Sequence, residues 1–221
     1  MKNAYLRPYY EKYWSSIKDH LKDLHLRTNA IRQFFPKNTS GHILDFGCGS
    51  GEILSEITKK NPKAKIIGVD ISKIALRQAK KRVPSGSFKQ IVEGKQIPVE
   101  TGSVDFILAI DVIEHVYDSE WMFNEFSRML KKGGLILIST PYCGFFKNLA
   151  IVIINFELVY DPLGPHIRYY TRKSLENCLD LIGFRTLHFG VFGRFYPLSK
   201  GMYVLAKKEK NKLMRYEKYC V

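Results

Sequence analysis

The stretch Leu44-Asp45-Phe46-Gly47-Cys48-Gly49-Ser50-Gly51-Glu52 decides the fold of this chain. His42 to Phe46 reads as a short buried strand, and Glu52 to Lys60 has helical spacing. Glycines between a strand and a helix permit positive φ and let a ligand approach the backbone. That ligand then sits at a helix N-terminus, where free N–H groups attract negative charge. The spacing is Gly-x-Gly-x-Gly. It is neither the Gly-x-Gly-x-x-Gly of dinucleotide sites nor the Gly-Lys-Ser/Thr ending of a P-loop. Asp45 stands two positions before the first glycine, where it repels a pyrophosphate and attracts an ammonium group. The loop therefore suits a zwitterion; with no ligand, the same glycines make only a tight turn.

Outward from this loop, strand and helix signals alternate. Lys65 to Val69 reads as a second strand ending at Asp70, and Ser72 is a helix N-cap for 73 to 82. Ser87 to Val92 and Val104 to Ile110 read as the third and fourth strands. Ser119 to Leu130 is an amphipathic helix, expected to stop at Lys131-Lys132-Gly133-Gly134. Leu135 to Thr140 is a fifth strand. Lys173 to Leu181 returns to helix, and Phe184 to Val191 and Met202 to Ala206 close the pattern as two strands. Strand–helix alternation of this kind means a parallel sheet covered on both faces. Gly193 to Lys200 is too short for a parallel crossover, so the last pair is expected to be antiparallel.

Asp70, about 20 residues past the loop, occupies the place where nucleoside-binding α/β folds keep a carboxylate for ribose hydroxyls. An N-cap role near Ser72 is compatible with that. Glu93 ends the third strand and is placed to accept from an exocyclic amine.

These stretches, taken together, resemble the class I S-adenosylmethionine-dependent methyltransferases. The matching segments, in order, are Asp45 to Gly51, Val69-Asp70-Ile71-Ser72, Glu93-Gly94 with Ile97-Pro98, Ser103 to Ile107, Asp111-Val112-Ile113-Glu114-His115-Val116, and Gly133 to Pro141. The match is good over 42 to 141, with a weaker echo from His166 to Thr171 and at Gly183-Phe184. The resemblance implies a Rossmann-like, doubly wound, seven-stranded α/β sheet, mostly parallel, with an antiparallel strand near the C-terminus. It implies S-adenosylmethionine as cofactor and S-adenosylhomocysteine as product. Gly47, Cys48, Gly49 and Gly51 should touch the methionine portion, with Asp45 and Asp111 near its amine. Asp70 should hold the ribose, Ile71 the adenine face, and Glu93 with Gly94 the adenine edge.

Two histidines are candidates for acid–base work. His115 follows the fourth strand at its carboxyl end, where open α/β sheets bind ligands. Asp111, Glu114 and His115 form Asp-x-x-Glu-His, which resembles the ubiquinone-pathway O-methyltransferases, where matching positions hold a divalent ion; in relatives without metal the same stretch lines the cofactor. His166 is either a base, an anion-binding pair with Arg168, or a structural hydrogen bond. Tyr142 and Cys143 follow the fifth strand as candidate pocket walls.

The expected organisation is one methyltransferase domain over 1 to 221. It has an N-terminal helical lid in 1 to 40, a cofactor core in 42 to 141, an insert in 142 to 170 and a basic tail in 207 to 221. Residues 15 to 35 have roughly helical spacing. Tyr5, Tyr9, Tyr10, Tyr13 and Trp14 either cover the cofactor or form the packing edge of the first helix. The apolar insert Phe145 to Leu163 suits a hydrophobic acceptor, a dimer surface or a membrane-surface contact. A monomer and a homodimer both remain open.

The chain has 221 residues, 35 Lys and Arg against 21 Asp and Glu, a formal charge of +14, and 45% apolar content. A disordered chain is excluded. Nine basic residues and one acid lie between Lys59 and Arg82, and six basic residues and two acids in the tail. The excess is therefore read as solvated faces, leaving an anionic or hydrophobic small-molecule acceptor ahead of RNA or protein. The Asn/Asp-Pro-Pro-Tyr/Phe loop of amino-methylating nucleic-acid enzymes is absent after the fourth strand. A methyltransferase-like module that binds without catalysing is the third reading. The four cysteines at 48, 143, 178 and 220 form no Cys-x-x-Cys pair. With no apolar leader evident, a cytoplasmic location is expected.

Overall fold

The computed structural model describes residues 6–16, 29–161 and 164–215. The expected helix over 15 to 35 therefore lies largely outside the described residues, as do Tyr5 and the end of the tail. The described chain runs α1 (Leu6–Ser16), β1 (His42–Phe46), α2 (Glu52–Lys60), β2 (Lys65–Asp70), α3 (Lys73–Arg82), β3 (Ser87–Gln90) and β4 (Val104–Ile110). It continues with α4 (Ser119–Met129), β5 (Leu130–Pro141), α5 (Phe145–Ile154), α6 (Phe156–Val159), α7 (Arg172–Leu181), β6 (Phe184–Phe192) and β7 (Gly201–Lys208).

The seven strands form one sheet in the order β3-β2-β1-β4-β5-β7-β6. β1 to β5 pair in parallel, and β7 runs antiparallel to both β5 and β6. The doubly wound sheet with an antiparallel strand near the C-terminus is therefore present. Successive strand residues feed opposite faces. Leu44, Ile107, Ile136 and Ile138 pack on the side of Phe123 and Phe126 of α4 and Leu175 and Leu179 of α7. Ile43, Phe106, Leu108 and Leu137 pack on the side of Ile31, Leu54 and Ile57 of α2 and Leu76 of α3. Both faces are thus sealed by helices, which explains the near-continuous apolar runs of β1, β4 and β5.

Strand order reverses between β1 and β4. At such a switch point the flanking loops diverge and open a crevice beyond the carboxyl ends of the strands. The Gly47–Gly51 loop, Asp70 and Asp111 all fall there.

Two local expectations are corrected. The Lys131–Gly134 run does not end α4: the helix stops at Met129, and β5 begins at Leu130, because Leu130 pairs with Val104 ahead of a bulge. The insert contains α5 and α6. Residues 207 to 215 are not a solvated tail. Lys207 and Lys208 complete β7, and Met214 is buried with its N–H on Asn124 Oδ1 at 2.7 Å. The aliphatic stem of Lys208 is covered, and its ammonium donates to the carbonyls of Ser127 and Leu130.

Candidate active site

A cavity of about 630 Å³ lies at the switch point, within the usual size range for small-molecule sites. β1 delivers Asp45 and Phe46, and the following loop delivers Gly47, Cys48 and Gly49. Asp70 and Ile71 come from the end of β2, and Ile110 to Val112 from the end of β4. Glu93, Glu114, His115, Pro141 and His166 complete the polar side and the far wall.

The loop is held by β2: the N–H groups of Gly47 and Cys48 both donate to Val69 O, at 2.8 and 3.1 Å. Asp70 fixes its other side. One carboxylate oxygen accepts from Gly49 N at 3.0 Å and the other from Ser72 N at 2.8 Å. The Ile71 amide adds to these, so Asp70 organises both the glycine loop and the turn into α3. Gly49 has φ +51, and a Cβ there would come within 2.6 Å of the Trp14 ring. Gly51 differs: it does not line the cavity. It precedes α2 with φ +78, and a Cβ would meet Ala79 of α3 at 3.0 Å. Its role is close helix packing, which corrects its expected place against a ligand. Gly94 also does not line the cavity; it turns the chain at φ +80 beside open space. Glu93 does line it, and its carboxylate accepts from Asp118 N–H at the start of α4.

Burial shifts the acids. Asp45 is 3% exposed. Its carboxyl is pushed up to about 8, first by burial and then by the nearby charge of Asp70. Asp70 is pushed up to about 6 by burial, against the lowering effect of the Ser72, Gly49 and Ile71 amides. Burial also holds the Cys48 thiol well above its ordinary value, with Asp70 and Asp45 adding to it, so Cys48 is a small apolar wall and not a nucleophile. Six acids line the cavity, Asp45, Glu52, Asp70, Glu93, Asp111 and Glu114, and no Lys or Arg does among the described residues. An acidic cavity in a chain of net charge +14 selects for ligand cations.

α1 closes the cavity. Tyr9, Tyr10, Tyr13 and Trp14 line it, while α1 also packs on α3, so for these four residues covering and packing go together. Glu11 is the main side-chain anchor of this helix to α3. α3 has no acid in its first turn, and Glu11 supplies the anion from α1. Its carboxylate accepts from Lys73 N at 2.9 Å, Ile74 N at 3.1 Å and Ser72 Oγ at 2.9 Å. Helix N-termini leave such amides without internal partners, so Glu11 both caps α3 and latches α1. Desolvation raises its carboxyl, and these bonds together with Arg7 outweigh that and lower it. Gln78 adds a bond to Trp14 O at 3.2 Å. Tyr10 carries a buried hydroxyl with no hydrogen-bond partner among the described residues, and burial raises its pKa. Sequence reading missed Glu11, because its partners lie more than sixty positions away.

Beside Tyr10, whose ring centroid is 6.0 Å from that of His115, the ring centroids of His115 and His166 lie 4.9 Å apart. His115 Nδ1 is 2.8 Å from Pro165 O. A carbonyl only accepts, so Nδ1 carries the proton, and in neutral His115 Nε2 is the basic atom. That atom is 3.9 Å from Glu114 Oε1. Glu114 is 1% exposed, and its other oxygen accepts from Thr140 Oγ1 at 3.0 Å. One ligating atom each of Glu114, His115 and His166 lies within 4.8 Å of the others. Asp111 is not in this cluster. It sits at φ +49 with its N–H on Ser139 O and its carboxylate accepting from Ser139 Oγ at 3.0 Å, which turns it back to β5. Arg168 donates to Tyr117 O and does not line the cavity, so the His166–Arg168 anion pair is not assembled. Tyr142 and Cys143 are buried outside the cavity wall, beneath α5.

A family model described as a methyltransferase domain matches residues 13–188. A ubiquinone biosynthesis O-methyltransferase from Leptothrix cholodnii is 30% identical over 209 residues, 84% of this chain and 86% of that protein. A trans-aconitate 2-methyltransferase from Afipia carboxidovorans is 30% identical over 131 residues, 58% of this chain; the match spans 50% of that relative's length. Among solved structures, an S-adenosylmethionine-dependent methyltransferase from Aquifex aeolicus aligns with a TM-score of 0.68 at 18% identity, over 89% of this chain and 97% of that one. A Haloferax volcanii complex between the Trm112 methyltransferase activator and a methyltransferase gives 0.73 at 13% identity, over 91% and 98%.

Proposed function

The chain belongs to the methyltransferase domain family and is an S-adenosylmethionine-dependent methyltransferase; on that premise we propose that it methylates an oxygen of a small, largely apolar acceptor. The observation that carries this reading is the His115–His166 pair beside buried Glu114 on the wall of the cavity that the glycine loop also lines.

The cavity fits the cofactor on its own chemistry. Buried Asp45 and Asp70 are carboxyls in an acidic site, suited to an ammonium and to paired hydroxyls. The unpartnered Tyr10 hydroxyl is a further buried donor aimed for use by a ligand. Asp45 would hold the amine, Asp70 the ribose hydroxyls, Ile71 the adenine face, and Glu93 the adenine edge. Gly47 to Gly49 provide backbone contact at the α2 N-terminus. When bound, S-adenosylmethionine supplies an electrophilic methyl whose leaving group departs neutral.

The protein's own contribution is then alignment and proton handling. α1 and its aromatic residues exclude water above the site, which strengthens every polar contact within it. Orientation of this kind supplies much of the acceleration in a two-reactant reaction. The acceptor hydroxyl must lose a proton as it attacks. His115 Nε2 takes it, with Nδ1 anchored on Pro165 and Glu114 stabilising the imidazolium that forms. His166 shares this wall and positions the acceptor oxygen. Six lining acids disfavour an anionic acceptor and leave the hydrophobic one.

The 4.8 Å grouping of Glu114, His115 and His166 favours a second reading of acceptor activation. Oxygen and nitrogen donors suit a divalent cation, which would lower the acceptor's pKa, with Thr140 orienting Glu114. Free thiols at Cys48, Cys143 and Cys178 suit a reducing compartment such as the cytoplasm.

The test is transfer of labelled methyl from S-adenosylmethionine to a panel of phenols, catechols and carboxylic acids, with and without chelator. Oxygen methylation lost in His115→Gln supports the reading. Methylation confined to amines overturns it, and chelator-sensitive turnover selects the metal route.

A further inference from the structure

α5 is an inverted amphipathic helix. Of its ten residues, Phe145-Phe146-Lys147-Asn148-Leu149-Ala150-Ile151-Val152-Ile153-Ile154, the two polar ones turn toward the protein and are half-buried. Phe145, Ile153 and Ile154 are exposed by 75, 74 and 73%. None of the ten is buried. Ordinary surface helices place their apolar stripe on the core, and here it faces outward.

The patch continues onto the β6–β7 turn. Lys147 Nζ donates to Lys200 O at 3.0 Å and to Tyr142 O at 2.8 Å, and the Tyr142 and Tyr196 rings lie 6.4 Å apart. That turn presents Phe195 and Tyr196, each at least 70% exposed, between exposed Arg194 and Lys200. Lys147 and Arg194 are close enough for each to feel the other's charge. The face is thus aliphatic and aromatic at its centre and basic along one side; Glu157 of α6 and Asp161 beyond that helix lie past its far end.

We propose that the outer face of α5 and the β6–β7 turn dock this protein on an anionic lipid bilayer surface. Three features select that occupant. Protein interfaces carry roughly one hydrogen bond per 100–200 Å², whereas the α5 face offers apolar side chains alone. Aromatic residues and Lys/Arg flanking an aliphatic stripe are the signature of an in-plane interfacial helix. A second copy would bring another +14 and set like charges against Arg194 and Lys200. No helix of the described residues is long and apolar enough to cross a membrane, so the contact is peripheral. Pro141 and Pro165, which bracket the insert, line the cavity. Docking therefore brings its far wall toward the lipid, where apolar acceptors accumulate.

The test is co-sedimentation of the full chain with vesicles of pure phosphatidylcholine and of phosphatidylcholine with 30% phosphatidylglycerol, the latter fraction being about that of an anionic membrane. Partitioning should be at least about tenfold greater on the anionic vesicles and should fall with added salt. The double variant Phe146→Asp/Ile153→Asp should abolish it, and Arg194→Glu should weaken it by roughly tenfold. Both variants should bind S-adenosylmethionine as the parent does, which reports an intact fold. Equal partitioning to both vesicle types, or none, overturns the proposal. So does a dimer in light scattering that dissociates in Phe146→Asp/Ile153→Asp, since a second copy then owns the face.

Discussion

Asp45→Asn should make the empty protein more stable and its cofactor binding weaker. The Asp45 carboxyl stands at about 8 in the folded chain against an ordinary 3.8, because burial and Asp70 disfavour its charge. Its folded value lies above its unfolded one. Between those values the folded chain retains a proton that the unfolded chain has released. For this group, stability is greatest below about pH 4 and falls as pH rises toward 8. At about 1.4 kcal/mol per unit, the cost is on the order of 4 kcal/mol at pH 7 and roughly 2 kcal/mol at pH 5. Asn does not titrate and carries no such cost. The stability difference between variant and parent should therefore grow by roughly 2 to 3 kcal/mol from pH 5 to pH 7, whatever fixed change Asn makes to packing. Urea unfolding at the two pH values measures it directly, and thermal unfolding should show the gap widen by roughly 5 to 10 °C. Over the same range, calorimetric titration should find S-adenosylmethionine bound at least about tenfold more weakly by the variant, because a bound ammonium can draw the proton off Asp45 and pair with its carboxylate, whereas Asn offers no charge. A gap that does not change with pH would mean that Asp45 is solvated and ionises near its ordinary value, and the reasoning from its burial beside Asp70 would fail.

Other outcomes follow from the same geometry. Gly49→Ala strains φ +51 and drives a methyl into Trp14; it should lower cofactor affinity while leaving the melting temperature within a few degrees, and a simultaneous Trp14→Ala should recover part of the loss. Glu11→Ala removes the latch between α1 and α3; amide exchange across Leu6–Ser16 should accelerate, and the cofactor should dissociate several-fold faster in stopped flow, whereas unchanged exchange would mean the latch is redundant. His115→Gln should cut kcat by about 10²–10⁴ with cofactor affinity within threefold, and an unaltered pH–rate profile would remove His115 from proton transfer.

The parts of this molecule set by local chemistry were legible in the sequence. The Gly47–Gly51 turn, the Ser72 cap and the apolar runs of β1, β4 and β5 are dictated by neighbours in the chain, and the antiparallel close followed from the length of 193–200. Asp45, Asp70 and Ile71 line the cavity because strand ends place them there, Glu93 and His115 because they follow β3 and β4; His166 is brought in by the segment between α6 and α7. What escaped depends on distant partners. Gly51 reads like its neighbours, but its Cα direction is set by Ala79. Asp111 was drawn from the metal-like cluster by Ser139. Glu11 acquires its function from three donors on α3, and the 207–215 segment is fixed by Asn124. The insert was read as apolar, yet only the structure shows that the apolar face of α5 points outward.

The most direct measurement is equilibrium binding of S-adenosylmethionine to the parent chain and to Asp70→Ala by isothermal titration. The account predicts one saturable site per chain with affinity in about the micromolar range, and its loss in the variant, because Asp70 holds both the Gly49 loop and the ribose position. Equal affinity in the two proteins would contradict it.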